Sequence, residues 1–192
     1  MKYEPMTFTV PDLDGISNET INDHIGLYEG YVKNVNAIQE KITAYSTDRE
    51  ANTLAISELQ RRLGFEFGGM RNHEYYFKQF EGGAKALPKG KLKDLIEKQW
   101  GSFDTWLTSF KTIVGTRGIG WAMLYYDRHT EQLVQTWVDE QHLGQLPDLQ
   151  MVLGLDMWEH SYLRDYRSSE KGQYVEAFFK NLNWEIVAER LS

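Results

Sequence analysis

The feature that most limits how this chain can fold is a stripe of apolar and aromatic residues at 3/4 spacing. It reads Ile21, His24/Ile25, Tyr28, Tyr31/Val32, Val35, Ile38 and Ile42. That period, held over six turns, marks one long amphipathic helix rather than a strand. Ser17 is a good N-cap and Glu19 suits the first turn, so the helix is expected from Ser17 to about Thr43. Residues 47–82 read as a second helical stretch, weakened near Gly64, Gly68 and Gly69. Its last part places Met70, His73, Phe77 and Phe80 on one face. Two antiparallel helices, each with one inward His among aromatics, make half of a site. Taken alone, His24 is better read as a core histidine with a hydrogen-bonded partner.

Around this hairpin the rest of the chain is shorter-ranged. Residues 1–15 read as an extended arm with turns at Pro5, Pro11 and Gly15. The segment from Glu81 to Gly90, with Gly82, Gly83, Pro88 and Gly90, is the clearest linker. An N-terminal α-hairpin unit (1–82) is therefore expected, then a linker (83–90) and a C-terminal unit (91–192). In the second unit Lys91–Trp100 and Phe103–Val114 read as short helices, the latter capped by Ser102. Strand-like runs follow at Trp121–Tyr126, Gln132–Val138 and Met151–Asp156, then helices near Tyr174–Leu182 and Trp184–Leu191, the last capped by Asn183. The expected class is α+β: a long antiparallel α-hairpin, then an α/β domain with a small three-stranded antiparallel sheet.

Asp156 and His160 stand four residues apart in Asp156-Met157-Trp158-Glu159-His160-Ser161-Tyr162. An Asp oxygen and a His nitrogen at that spacing can meet at one atom where the backbone turns. On this segment alone, an Asp helix cap beside an ordinary half-buried imidazole accounts for the pattern equally well. The wider composition narrows the choice. The 192 residues include no cysteine, so disulfides and thiolate metal sites are excluded and any metal must be held by His and carboxylate. Five histidines are available: His24, His73, His129, His142 and His160. His129 sits in the polar hairpin connection Tyr125–Glu131, where a solvated side chain is expected. His24, His73, Asp156 and His160 are then the inward-facing set that can converge. Three imidazoles and a carboxylate suit Zn, Fe or Mn, with Trp121, Trp158, Tyr28, Tyr31 and Phe77 keeping the surroundings dry.

A formal net charge of −7 argues against nucleic acid as the main partner. No apolar run approaches the roughly 20 residues of a membrane span. The start, Met1-Lys2-Tyr3-Glu4-Pro5, has no secretory apolar run, so a cytoplasmic protein is expected. An exported mature form would read the same.

The segment from Asp156 to Tyr162 resembles the D-x-W-E-H-A-Y signature of the iron/manganese superoxide dismutases. Other motifs similar to that family follow the same order. Ile16-Ser17-Asn18-Glu19-Thr20 precedes His24, Asn72-His73 precedes Tyr75, Tyr76 and Phe77, and Gly118-Ile119-Gly120-Trp121-Ala122 and Asn183-Trp184 come later. The resemblance runs from about Ile16 to the C-terminus. It implies one Mn or Fe ion held by His24, His73, Asp156 and His160, with a water or hydroxide completing a trigonal bipyramid. It also implies disproportionation of superoxide to dioxygen and hydrogen peroxide. Glu159 stands where the family bridges to a partner subunit's ligand His, so a homodimer is implied, and a tetramer remains open. A non-redox Zn site and a catalytically weak metal-binding relative are the alternatives.

Several positions depart from the family pattern. The family's active-site Tyr usually comes eight residues after the first ligand; Tyr31 comes seven after His24. Seven residues is close to two helical turns, whereas eight needs a π-bulge to face the same way, so a regular helix is expected. The family's second His becomes Tyr28 and its later Tyr partner becomes Leu163, while Tyr162 keeps its place. In iron types a Gln comes from four residues before the second ligand, a position held here by Gly69. In manganese types it comes from the loop after the second strand, where Gln141 is the candidate and His142 the alternative if the loop shifts by one. The competing, less favoured reading makes both surface loop residues. With Gly154, this tilts the reading to Mn. Arg167 resembles an Arg of the family's substrate funnel, and Lys171 could supply a second positive charge.

Overall fold

The computed structural model describes residues 2–191; Met1 and Ser192, the outer ends of the two expected units, lie outside the described residues. Helix α1 spans Asn18–Tyr45, with the Ser17 side chain accepting from the Thr20 backbone N–H. It is α-helical throughout, without a π turn, as the seven-residue spacing requires. Ile21, His24, Tyr28, Val32, Val35 and Ile38 form its buried stripe, while Tyr31 and Ile42 are half-buried at its edge.

The second helical stretch is shorter than expected: α2 runs Thr53–Lys78, not 47–82. Residues 46–48 form a 3-10 turn instead. There Ser46, Thr47, Asn52 and Thr53 spend their side chains on nearby carbonyls, which competes with helix continuation. At the other end Gly82 (φ 73°) and Gly83 (φ 78°) turn the backbone left-handed. The expected weak points do not break the helix. Gly68 and Gly69 instead let neighbours approach it: a Cβ on Gly68 would lie 2.2 Å from the Gln141 carbonyl oxygen, and one on Gly69 2.6 Å from the Tyr31 ring.

The segment after α2 is pinned rather than loose. The Lys85 backbone donates to the Leu182 carbonyl (3.0 Å) and accepts from Trp184 (3.2 Å). Helices α3 (Lys91–Trp100) and α4 (Phe103–Val114, capped by Ser102) follow as expected. The sheet is β1 (Gly120–Asp127), β2 (Gln132–Asp139) and β3 (Gln150–Asp156), antiparallel, in the order β2-β1-β3. Central β1 is buried almost throughout, and its register sets Trp121 opposite Asp156. Helix α5 (Lys171–Asn181) starts earlier than read from the sequence, and α6 (Trp184–Glu189) ends earlier. One aromatic core joins the halves: Tyr76 of α2 and Phe80, just past its end, pack on Phe178 of α5, and Tyr76 also on Trp121 of β1.

The arm before α1 has no regular structure but is tied down. Buried Tyr28 accepts the Met6 backbone N–H at 2.8 Å and donates to Glu74 Oε1 at 3.3 Å. Glu74, itself buried, pairs with Arg71 at 2.5 Å. Tyr28→Phe should therefore lose about 1 kcal/mol by removing two hydrogen bonds at one buried point. Thermal unfolding with limited proteolysis checks this: the arm should become the first cleavage site, and an unchanged digestion pattern would contradict the anchor.

Candidate metal centre

Four elements deliver the four candidate ligands. His24 comes from α1, His73 from α2, Asp156 from the end of β3, and His160 from the 3-10 turn Glu159–Ser161. Their ligand atoms all lie within 4.8 Å of one another. His24, His73 and Asp156 are fully buried, and only His160, 21% exposed, borders solvent. Three Nε2 atoms face one carboxylate oxygen, Asp156 Oδ2: His24 at 3.1 Å, His160 at 3.2 Å and His73 at 3.6 Å. The other oxygen, Oδ1, accepts the Trp158 backbone N–H at 2.8 Å, which holds Oδ2 inward.

The His73 tautomer decides what this arrangement can hold. Its Nδ1 lies 2.6 Å from the Gly69 carbonyl, which can only accept, so Nδ1 carries the proton. Nε2 is then a buried lone pair without a hydrogen-bond partner, aimed at a carboxylate oxygen. Two acceptors facing each other in a dry interior are unfavourable unless a cation sits between them. Three imidazole nitrogens and one carboxylate oxygen are a donor set for a single Fe, Mn or Zn ion. The residues present therefore fit a metal.

Electrostatics act in the same direction. Burial, with His24 beside it, pushes the His73 imidazole down to about 3. Burial also pushes His24 below its ordinary value, despite the facing Asp156. For Asp156 burial works against ionisation, but His160 and His24 hold its carboxyl below the usual carboxylate range. The site is thus poised with neutral His24 and His73 imidazoles beside an anionic oxygen, protonation states that bind metal.

Of the surrounding residues named from the sequence, some join the site and some do not. Trp121 packs 5.1 Å from the His73 ring and donates its indole N–H to Gln141 Oε1 at 2.9 Å. Buried Gln141 donates from Nε2 to the Tyr31 hydroxyl at 3.1 Å, and the Tyr31 ring lies 5.2 Å from His73. Trp158 stacks on His160 at 5.8 Å and donates its indole N–H to the Glu140 carbonyl. Tyr162 is buried against Tyr174. Glu159 is exposed. His142 turns the other way: its ring meets Phe65 and Gly64 and borders a groove of about 750 Å³ with Leu63 and Leu146. Tyr28, which stands in place of the family's second His, is buried and bonded to the N-terminal arm. Beside it on α1, Leu27 is an exposed apolar residue. His129 is exposed as expected and pairs with Asp148 at 2.7 Å.

Sequence reasoning missed the layer behind Asp156. Its backbone carbonyl accepts the Tyr174 hydroxyl at 2.9 Å, and Tyr174 meets the Tyr76 hydroxyl at 3.1 Å. Ser161 lies within reach of the same carbonyl at 3.1 Å. Gln79 donates to the Gly154 carbonyl at 2.7 Å. Tyr76 and Gln79 extend the inward face of α2 at helical spacing, but nothing in the sequence named their partners.

Fold, ligand set and surrounding aromatics define a protein with a mononuclear metal centre shared between a helical hairpin and an α+β unit. The chain belongs to the iron/manganese superoxide dismutase family. The model of that family's alpha-hairpin domain matches residues 3–81, and the model of its C-terminal domain matches residues 88–190. The chain is 35% identical over 195 residues to an iron superoxide dismutase of Aquifex pyrophilus, covering 98% of this chain and 91% of that one. It is 33% identical over 182 residues to an iron superoxide dismutase of Methanothermobacter thermautotrophicus, covering 91% and 86%. It is 32% identical over 197 residues to manganese superoxide dismutase 2 of Haloferax volcanii, covering 99% and 96%.

A pH dependence follows for the metal-free protein. His24 and His73 have lower proton affinity folded than unfolded, so below about pH 6.5 the unfolded chain binds more protons and stability falls. Asp156 adds a loss as pH drops through and below about 3.9, because its folded value is depressed too. All three slopes have one sign. The unfolding temperature, followed by circular dichroism, should decline steadily from pH 7 to 4; a flat profile would contradict the neutral-imidazole site.

Proposed function

We propose that this chain disproportionates superoxide, with His24, His73, Asp156 and His160 holding one Mn or Fe ion. The observation that carries the reading is the convergence of three imidazole Nε2 atoms on one carboxylate oxygen beside a directed chain of hydrogen-bond donors. Bound there, the ion would supply one-electron redox chemistry, so that two superoxides and two protons give one dioxygen and one hydrogen peroxide.

The protein's own residues have definable tasks. Trp121 donates to Gln141 Oε1, so the Gln141 amide nitrogen points at Tyr31 and donates to its oxygen. The Tyr31 proton is then the free end of the chain, available to a reduced, basic oxygen species. Burial, with Asp156 nearby, raises the Tyr31 phenol above its ordinary value, so it carries its proton at neutral pH. Trp121, Trp158, Tyr76 and Phe77 surround the ligands and exclude bulk water. His160, the one of the four that borders solvent, marks the side from which a small anion reaches the centre.

Gln141 comes from the loop after β2, and the Gly69 position is closed to any side chain by the Tyr31 ring. This supports Mn as the preferred metal, with use of Fe retained. Glu159 is exposed next to His160, while Leu27 and Leu163 are 43% and 44% exposed. These support a homodimer in which Glu159 reaches the partner's metal-ligand histidine. The same reading places the two units at 1–82 and 91–192 and the protein in the cytoplasm. No helix among the described residues is long and apolar enough to cross a membrane.

Metal content of protein purified from its own host, with superoxide decay after loading Mn, Fe or Zn separately, tests the function. Expected are Mn or Fe at one ion per chain and decay far above background; Zn in the native site would overturn the redox reading. His160→Ala should lose metal, and retention at full stoichiometry would contradict the ligand set. Tyr31→Phe should keep metal while turnover falls on the order of tenfold or more in the proton-limited step; an unchanged pH–rate profile would remove Tyr31 from that role. Glu159→Ala should shift the mass measured by light scattering from dimer toward monomer, and a monomeric parent protein would end the dimer assignment.

A further inference from the structure

His24 and His73 stand on the α1–α2 hairpin, whereas Asp156 and His160 stand on β3 and the turn that follows it. Neither half is a site alone, so the donor set depends on the register between them. Beside His73, α2 carries buried Asn72 and Tyr76, and its C-cap residue Gln79, also buried, continues the same spacing. Each reaches a different part of the other half: Asn72 donates to the Gln141 carbonyl (3.0 Å), Gln79 to the Gly154 carbonyl (2.7 Å), and Tyr76 meets Tyr174 (3.1 Å). Of the three, only Tyr76 connects through its partner to a ligand residue.

The directions of these bonds can be assigned. The Asp156 carbonyl can only accept, so Tyr174 donates its proton to it at 2.9 Å. That leaves the Tyr174 oxygen as the acceptor for the Tyr76 O–H. The order is Tyr76 to Tyr174 to Asp156. Both phenols are fully buried, so bulk water cannot replace a lost partner. The Tyr76 ring also lies 4.9 Å from the His24 ring, so the residue touches a ligand in one half and reaches a ligand in the other. With Trp158 holding Oδ1 from the front and Tyr174 holding the carbonyl from behind, Asp156 has little freedom to turn Oδ2 away.

We infer that the Tyr76–Tyr174 phenol pair is a positioning device that aligns the two half-sites and holds Asp156 at the angle at which it binds the metal. The inference rests on the ligand set proposed above. Tyr76 and Tyr174 are positioning residues, acting through Asp156 and His24. Ser161 closes the same turn: its hydroxyl is 2.7 Å from the Trp158 carbonyl and 3.1 Å from that of Asp156, and it donates to the nearer.

Tyr76→Phe is the decisive variant. It keeps the ring and its contacts with His24, Phe80 and Phe178, and removes one proton donor. Full-length protein loaded with Mn(II) is challenged with excess EDTA at pH 7, and the Mn(II) paramagnetic resonance spectrum is recorded before the challenge. Tyr76→Phe is expected to release Mn(II) about tenfold faster and to show an altered spectrum, the range typical of lost partners behind metal ligands. Tyr174→Phe should do at least as much, and the double variant no more than the larger single, because the chain acts as one unit. A lowered unfolding temperature with unchanged release rate and spectrum would overturn the inference, leaving the pair a packing contact. Should Tyr174→Phe fail to fold, Tyr76→Phe decides alone, since it leaves the Asp156 carbonyl bond in place. Superoxide decay by the unsubstituted protein is measured separately. Loss of that activity would sink the functional reading while the release rates still judge the alignment.

Discussion

An ionised carboxylate buried at the end of β3 governs the rest of this molecule. Asp156 has no exposed surface, and an unpaired charge in such a place is strongly unfavourable. It persists because one oxygen takes a backbone N–H while the other faces three imidazoles. Those imidazoles come from α1, α2 and the turn after β3, so burying this one charge demands that both halves of the chain close together. The metal resolves the remaining conflict, since the His73 tautomer makes its inward nitrogen an acceptor as well. Site and fold are therefore one problem: the donor set exists only in the closed structure, and closing it without a cation leaves lone pairs opposed.

Glycine lets the closure happen where side chains would prevent it. At Gly68 the backbone of the loop carrying Gln141 comes against α2, and at Gly69 the Tyr31 ring fills the space a Cβ would need. One pair of adjacent small residues thus admits both the loop amide and the phenol of the Trp121–Gln141–Tyr31 chain. The consequence is chemical. A glutamine cannot reach the site from the helix at position 69, so the hydrogen-bond donor to Tyr31 must come from the loop after β2. That loop turns tightly, with Asp139 and Leu143 exchanging two backbone hydrogen bonds and Glu140 in the left-handed region at φ 51°. Its geometry points Gln141 inward and His142 out to the groove.

Periodicity and local chemistry made most of the elements legible. The α1 stripe, the Ser17, Ser102 and Asn183 caps and the three strands all depend on short-range rules, and each stands within a few residues of its expected place. The start of α2 was misjudged because Ser46, Thr47, Asn52 and Thr53 bond locally to carbonyls, an effect no hydrophobic pattern records. The convergence of His24, His73, Asp156 and His160 was legible because so few histidines face inward and no cysteine competes. The partners of Tyr28 were not legible for a related reason. It stands on the buried stripe, but its hydroxyl is claimed by Met6 and Glu74, one far back in sequence and one on another helix. Which polar atom a buried phenol will find is a long-range fact, and the sequence pattern carries no trace of it.

The same reasoning explains why the polar layer behind the ligands was the least legible part and yet matters to function. Asn72, Tyr76 and Gln79 look like ordinary continuations of a helix face, and each becomes meaningful only through a carbonyl or hydroxyl from the other half. A buried polar group that lacks its partner destabilises the protein, so these residues favour one register over its near neighbours. Apolar packing of Phe77, Phe80 and Phe178 would tolerate a slide of a few tenths of an ångström. A metal centre built from two halves does not tolerate one, because bond lengths to a small ion are fixed far more tightly than contacts between rings. Hydrophobic burial brings the halves together, and the directional bonds of a few buried amides and phenols set the distance at which they stop.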